Sequence, residues 1–267
     1  MGILNVTPDS FFDGGRFRQI DKAIEHGLRM AEAGAEILDV GGESTRPGAA
    51  EVSEEEECGR VVPVIAGLAS RCQAMISVDT RKAGVARRAV ELGACIVNDV
   101  GAAARRPELW KVVAETGAGY VLMHMQGTPE TMQLTPAYRD VVGEVRDFFV
   151  ERLKQATEEG VASEQVMLDV GIGFGKRLEH NLALLARLGE FKALGRPLVV
   201  GLSRKSLIGE ISGAAVEDRM PGSLAGACWA ALAGAGILRV HDVSETMQAL
   251  RVLNAVMAAP SGGEGKT

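Results

Sequence analysis

A single-domain (β/α)8 barrel is the fold this chain predicts, on three observations. Short apolar, β-branched runs alternate eight times with longer segments of helical period. The runs are continuously apolar, as strands buried on both faces of a parallel sheet must be. And eight such units in 267 residues fit one closed barrel better than an open doubly wound sheet or two domains of ~150 residues each.

Taken in order, the strands are expected at 2–6, 37–40, 74–78, 95–97, 120–123, 166–168, 198–200 and 237–240. Between the first two, Ala23, Ile24, Gly27, Leu28 and Ala31 repeat with helical spacing. Ser53 followed by Glu56 is the signature of a capping box that opens the second helix. Val85, Ala89 and Leu92 mark the third, and Leu178, Leu182, Leu185 and Leu188 the sixth. Gly34, Gly93, Gly117, Gly160 and Gly189 stand where helices should stop in a left-handed cap. The 224–238 run is rich in Ala and Gly. It is shorter than the ~20 residues a bilayer span needs, so it reads as a close-packed helix leading into the last strand. The barrel is expected over 1–258, with a disordered tail at 259–267.

Composition narrows the function. The chain is 46% hydrophobic and 24% charged, which excludes disorder. Its net charge of −6, without a basic block, argues against duplex DNA or an anionic membrane as partner. Cys58, Cys72, Cys95 and Cys228 form no CxxC and read as reduced thiols. No leader is visible, so a soluble, cytoplasmic protein is expected. Two features are unusual: 33 glycines, and aromatics at only 4%.

Polar residues stand at or just past the end of every expected strand: Asn5, Asp39, Asp79, Asn98–Asp99, His124, Asp169, Ser203 and Arg239–His241. Active sites of such barrels are built on that face. The segment 201–206 (GLSRKS) joins two cations and two hydroxyls to a helix start, and 239–241 (RVH) ends the last strand. Together they predict an anion site, with Arg46 as a further cation, for a substrate such as a phosphate ester. Asp79 and Asp169 have no basic neighbour in sequence and need donors. With Asn98 they suit either structural N–H groups or a flat heterocycle bound through paired N–H groups. Segment 169–176 (DVGIGFGK) has the wrong spacing for a dinucleotide or Walker loop. Its glycines would let backbone approach a ligand, with Phe174 as a packing plane. The loops at 7–18 and 41–52 are long and rich in Gly, Pro, Ser and Asp, as lids are. His124 is as much a structural as a catalytic candidate. No nucleophile motif emerges, and Asn5 beside Asp9 could hold Mg2+ through oxygens.

Segments 2–13 (GILNVTPDSFFD), 41–48 (GGESTRPG), 77–80 (SVDT), 98–100 (NDV), 123–127 (MHMQG), 171–176, 201–206 and 239–243 (RVHDV) closely resemble, in order, those of the dihydropteroate synthases. The resemblance covers essentially the whole chain. It implies condensation of 6-hydroxymethyl-7,8-dihydropterin diphosphate with 4-aminobenzoate, giving 7,8-dihydropteroate and pyrophosphate in folate synthesis, and makes the chain a sulfonamide target. On this resemblance Asp79, Asn98, Asp169 and Lys205 bind the pterin, with Arg239 on its face. Asn5 ligates Mg2+, while Arg239, His241 and Arg46 hold the diphosphate. Phe11, Thr45, Arg46 and Pro47 cover 4-aminobenzoate, whose carboxylate meets Ser206. Asp13 stabilises the cation that forms, and the enzyme is expected to be a homodimer. A pterin-binding methyltransferase barrel and a catalytically silent pterin-binding paralogue are the alternatives. The chain departs from the family where its first strand begins at Met1, without a preceding segment, and at Val170, where proline is usual. The free N–H at Val170 predicts a less rigid Asp169 loop.

Overall fold

The computed structural model describes residues 1–7, 16–44, 51–101, 107–128 and 131–259. Eight parallel strands pair strictly in chain order. They are β1 (Gly2–Asn5), β2 (Ile37–Gly41), β3 (Met75–Asp79), β4 (Ala94–Asp99), β5 (Gly119–Met123), β6 (Val166–Asp169), β7 (Leu198–Val200) and β8 (Ile237–Leu238). The barrel closes where Gly2 pairs with Val240, the Ile3 N–H donating to the Val240 carbonyl at 2.9 Å. No edge is left unpaired, which is how a parallel sheet of this size avoids exposed strand rims.

Helices α1 (Arg16–Glu32), α2 (Glu54–Ala69), α3 (Ala83–Glu91), α4 (Glu108–Thr116), α5 (Val141–Glu158) and α6 (Leu178–Ala186) each follow a strand. Two helices, α7 (Ser206–Ser212) and α8 (Met220–Leu232), separate β7 from β8, and α9 (Val243–Ala258) ends the barrel. Ser53 caps α2 as its sequence predicts, its Oγ accepting the Glu56 N–H at 3.2 Å. The reciprocal half of the box is replaced, because the Glu56 carboxylate pairs with Arg60 one turn later. Gly34, Gly93, Gly117 and Gly160 carry positive φ as expected. Gly189 does not: a 3-10 segment, Leu188–Leu194, continues past α6, and Gly195 supplies the left-handed stop at φ 66°.

The strand–helix interface holds the main apolar core, from Leu4, Leu38 and Val40 round to Leu168 and Leu202. Inside the barrel, a smaller layer of Ile37, Ile96, Val121 and Val199 fills the lower end. β3, β4 and β6 run on to Asp79, Asp99 and Asp169, beyond the apolar residues that mark them in sequence. Ladder pairs carry them there: Gly41 pairs with Asp79, Asp79 with Asn98, and Met123 with Asp169. Strand polarity therefore sets the height of every carboxylate at the upper mouth. All four cysteines are free, Cys95 being exposed. No described helix is long and apolar enough to cross a membrane.

Candidate active site

The first half of the mouth is built on Asp39, wholly buried in the middle of β2 rather than at its end. Ser77 lies opposite it in the ladder and donates to its Oδ1 at 2.6 Å. Asn98 Nδ2 and Arg239 Nε donate to Oδ2 at 2.9 and 2.6 Å. A buried carboxylate needs such a set of donors to remain charged. Arg239, placed just past β8 by its N–H bond to Val200, turns its second arm to Asp79, with Nη2 to Oδ2 at 2.8 Å. One guanidinium thus bridges two strands' carboxylates in a fixed fork. Burial raises Asp79 to a pKa of about 7; Arg239 offsets part of that and Asp39 adds to it. Burial also opposes the Arg239 charge, but Asp39 and Asp79 outweigh it and hold its pKa above the ordinary value.

The second half is built on Asp169, Phe174 and Lys205. Asp169 Oδ1 accepts the Gly171 N–H at 2.8 Å, and burial raises its pKa. Lys205 donates to the Ile172 carbonyl and stands over the Phe174 ring, 4.6 Å from its centroid. Burial lowers its pKa to about 8, against the pull of Asp169. A Cβ added at Gly201 would lie 3.7 Å from Arg239 Cβ and 3.8 Å from Lys205 Nζ, so Gly201, just past β7, borders both side chains. Beside Val170, two hydrogen bonds hold Asp169. Its carboxylate is fixed by Gly171, and its carbonyl accepts the His124 N–H at 2.9 Å.

At the rim, Ser203 Oγ accepts the His241 N–H at 3.2 Å and lies 3.0 Å from its Nδ1. With the hydroxyl as donor to Nδ1, Nε2 carries the ring N–H. Burial against the rim, then Arg239 and Arg204, lower the imidazole's pKa to about 4, so it is neutral at pH 7. Arg204 is not a free cation of the anion site. Its Nε and Nη2 bind Asp242 at 2.9 and 2.5 Å, with its backbone at φ 57°. Ser206 begins α7 and is exposed.

Asn5 ends β1; a Cβ at Gly41 would lie 3.8 Å from its Oδ1 and 3.7 Å from Asp79 Oδ2. Among the described residues no three His, Cys, Asp or Glu side chains gather into a metal cage. One amide oxygen near a carboxylate suits a hard cation that shares its shell with phosphate oxygens and water. The structure therefore brings together Asn5, Asp79, Asn98, Asp169, Phe174, Lys205, Arg239 and His241. Phe11, Asp13, Thr45, Arg46 and Pro47 lie outside the described residues. Asp39 as part of the floor is what sequence reasoning missed, together with Ser77. The signal was present: an ionisable residue inside a wholly apolar strand demands a partner.

A barrel whose upper mouth is floored by carboxylates and an amide, and walled by lysine and arginine, defines the class of pterin-binding enzymes, whose family model matches residues 1–241. The dihydropteroate synthase of Escherichia coli (strain K12) is 52% identical over 259 residues, covering 97% of this chain and 92% of that protein. The structure of Xanthomonas albilineans dihydropteroate synthase with 4-aminobenzoic acid is similar at TM-score 0.92 and 48% identity, over 97% of this chain and 93% of that one. The Yersinia pestis dihydropteroate synthase with a sulfonamide drug complex is similar at TM-score 0.91 and 47% identity, over 97% and 94%. The chain belongs to the dihydropteroate synthases, transferases of a pterinylmethyl group in folate synthesis.

Proposed function

We propose that the mouth described above condenses 6-hydroxymethyl-7,8-dihydropterin diphosphate with 4-aminobenzoate as follows. The N–H groups along one edge of the pterin meet the acceptors of Asp79, Asn98 and Asp169, while Arg239 packs on its face and Lys205 holds its far edge. The carrying observation is the Asp39–Arg239–Asp79 bridge, which fixes a carboxylate beside a cation at the mouth. Arg239 and the Nε2–H of neutral His241 receive the diphosphate, with Arg46 from the second loop. Asn5 would hold Mg2+, which when bound neutralises charge on the leaving pyrophosphate.

Loss of pyrophosphate leaves a CH2 cation conjugated to the pterin ring, and Asp13 faces it in this reading. The uncharged arylamine attacks that carbon and then loses a proton. Positioning and charge stabilisation suffice for this, which accounts for the missing nucleophile motif. Ser206 at the start of α7 takes the 4-aminobenzoate carboxylate, and Phe11, Thr45, Arg46 and Pro47 enclose its ring, while Phe174 stays beneath Lys205. The Xanthomonas complex with 4-aminobenzoic acid and the Yersinia sulfonamide complex support binding of both kinds of molecule by this chain.

A homodimer through α8 and α9 belongs to the same reading. It is supported by Trp229 (51% exposed), Leu232 (52%), Val252 (62%) and Val256 (68%) on those adjacent helices. A reducing, cytoplasmic setting is supported by the four free cysteines. The deciding assay is pyrophosphate release from the pterin diphosphate. Release that needs both 4-aminobenzoate and Mg2+ is expected. Pterin binding without release would instead identify a silent paralogue.

A further inference from the structure

Lys176 is a buried lysine, 3% exposed, that forms no ion pair among the described residues. Its Nζ sits 2.9 Å from the Gly171 carbonyl, 2.9 Å from the Phe174 carbonyl, 2.9 Å from His124 Nδ1 and 3.3 Å from the His124 carbonyl. Burial lowers its pKa to about 7 against the pull of Asp169, and an ammonium there is costly unless dipoles replace its water. Here they do, because the loop after β6 coils round it. Gly171, Gly173 and Gly175 all carry positive φ, at 69°, 82° and 62°. At Gly171 nothing larger fits, since a Cβ would lie 1.9 Å from the His124 carbonyl oxygen.

Five consecutive carbonyls of this loop each take a side-chain donor. Gly171 and Phe174 take Lys176, Ile172 takes Lys205, Gly173 takes Gln133 at 2.7 Å, and Gly175 takes Tyr138 at 2.8 Å. The two lysines therefore grip one short backbone arc at three of its carbonyls. The arc in turn supplies Lys205 with both its carbonyl partner and the Phe174 ring beneath it. His124 completes the grip as an acceptor, its ring held edge-on against Phe148 at 4.8 Å between centroids.

We propose that Lys176, oriented by His124, is a positioning residue for the reaction: it shapes the 171–175 loop so that Ile172 and Phe174 hold Lys205 at the pterin. This rests on the reading of Lys205 as a pterin contact. Neither Lys176 nor His124 touches substrate in this arrangement; both act through the loop. The groups that face Nζ are His124 from the end of β5, Asp169 from β6 and Lys205 from the loop after β7.

The test compares Lys176→Met and His124→Phe with the parent enzyme and with Lys205→Ala, measuring kcat and both KM values by pyrophosphate release. Lys176→Met is expected to raise the KM for the pterin diphosphate at least about tenfold, the loss of about 1.4 kcal/mol. The KM for 4-aminobenzoate should stay within about twofold, and the alkaline limb of the pH profile should move. His124→Phe keeps the edge contact with Phe148 and removes the acceptor, so a smaller shift in the same direction is expected. Should Lys176→Met not fold, His124→Phe decides by the same readings. Unchanged KM values, or both rising together, would overturn the proposal. If Lys205→Ala raises the pterin KM and the other two variants do not, this inference alone fails. If Lys205→Ala leaves it unchanged, the reading of the pterin site fails with it.

Discussion

The two halves of the barrel mouth keep buried charges in opposite ways. On the β2–β4 side, Asp39 and Asp79 are balanced by one guanidinium, with Ser77 and Asn98 filling the remaining valences. On the β6–β7 side, Lys176 and Lys205 rest on backbone carbonyls of a glycine-rich loop. Side-chain pairs hang from rigid strands, so the first half is a fixed template. Carbonyl cages depend on the path of a loop, so the second half is only as well placed as its glycines allow. On the proposed reading, the fixed floor reads one edge of a flat substrate the same way each time, and the loop-held grip meets its far edge.

Arg239→Met should break the first half most severely. It strands two buried carboxylates, and loss of one partner of a buried pair costs about 3–5 kcal/mol. Urea unfolding should show that loss, and pyrophosphate release should fall below detection. A stability change under about 1 kcal/mol would mean that Asp39 is held by Ser77 and Asn98 alone. Gly171→Ala is the matching test of the second half. The backbone clash with His124 must displace the loop, so about 1–3 kcal/mol of stability and at least about tenfold in kcat/KM should be lost, equal to about 1.4 kcal/mol. An alanine variant with parent kinetics would show that the loop path does not matter.

The smallest effect sharpens the comparison by pH. On the proposed reading, Asp79, raised by burial to about 7, accepts pterin N–H groups most strongly when ionised, so kcat/KM for the pterin diphosphate should rise as pH rises through 7. Lys205, lowered by burial to about 8, donates fully only when protonated, so the rate should fall as pH rises through 8. The profile is then a bell with one limb from each half. Asp79→Asn should erase the acid limb and keep the alkaline one; an acid limb that survives would assign it elsewhere.

Much of this was legible in the chain. Continuous apolar runs gave the parallel strands, because burial on both faces leaves no room for alternation. Asp79, Asn98, Asp169, Lys205, Arg239 and His241 were legible because each follows such a run, where a strand must emerge at the mouth. Asp39 was harder to place. Its partners Ser77, Asn98 and Arg239 are 38, 59 and 200 residues away, and only ladder register brings them into contact. Arg204 misled for the same reason: its charge is spent on Asp242, which adjoins it only across the β7–β8 loops.

By itself, then, the sequence determined the eightfold alternation, the end of the barrel that carries chemistry and the kinds of groups gathered there. Those follow from local hydrophobic period and from the side chains themselves. Tertiary structure decided which charges neutralise each other and which stay available. It set Arg239 between two aspartates, withdrew Arg204, and wrapped a glycine loop round Lys176. Pairing of that kind depends on distances in ångströms between strands far apart in the chain, and no local pattern encodes them.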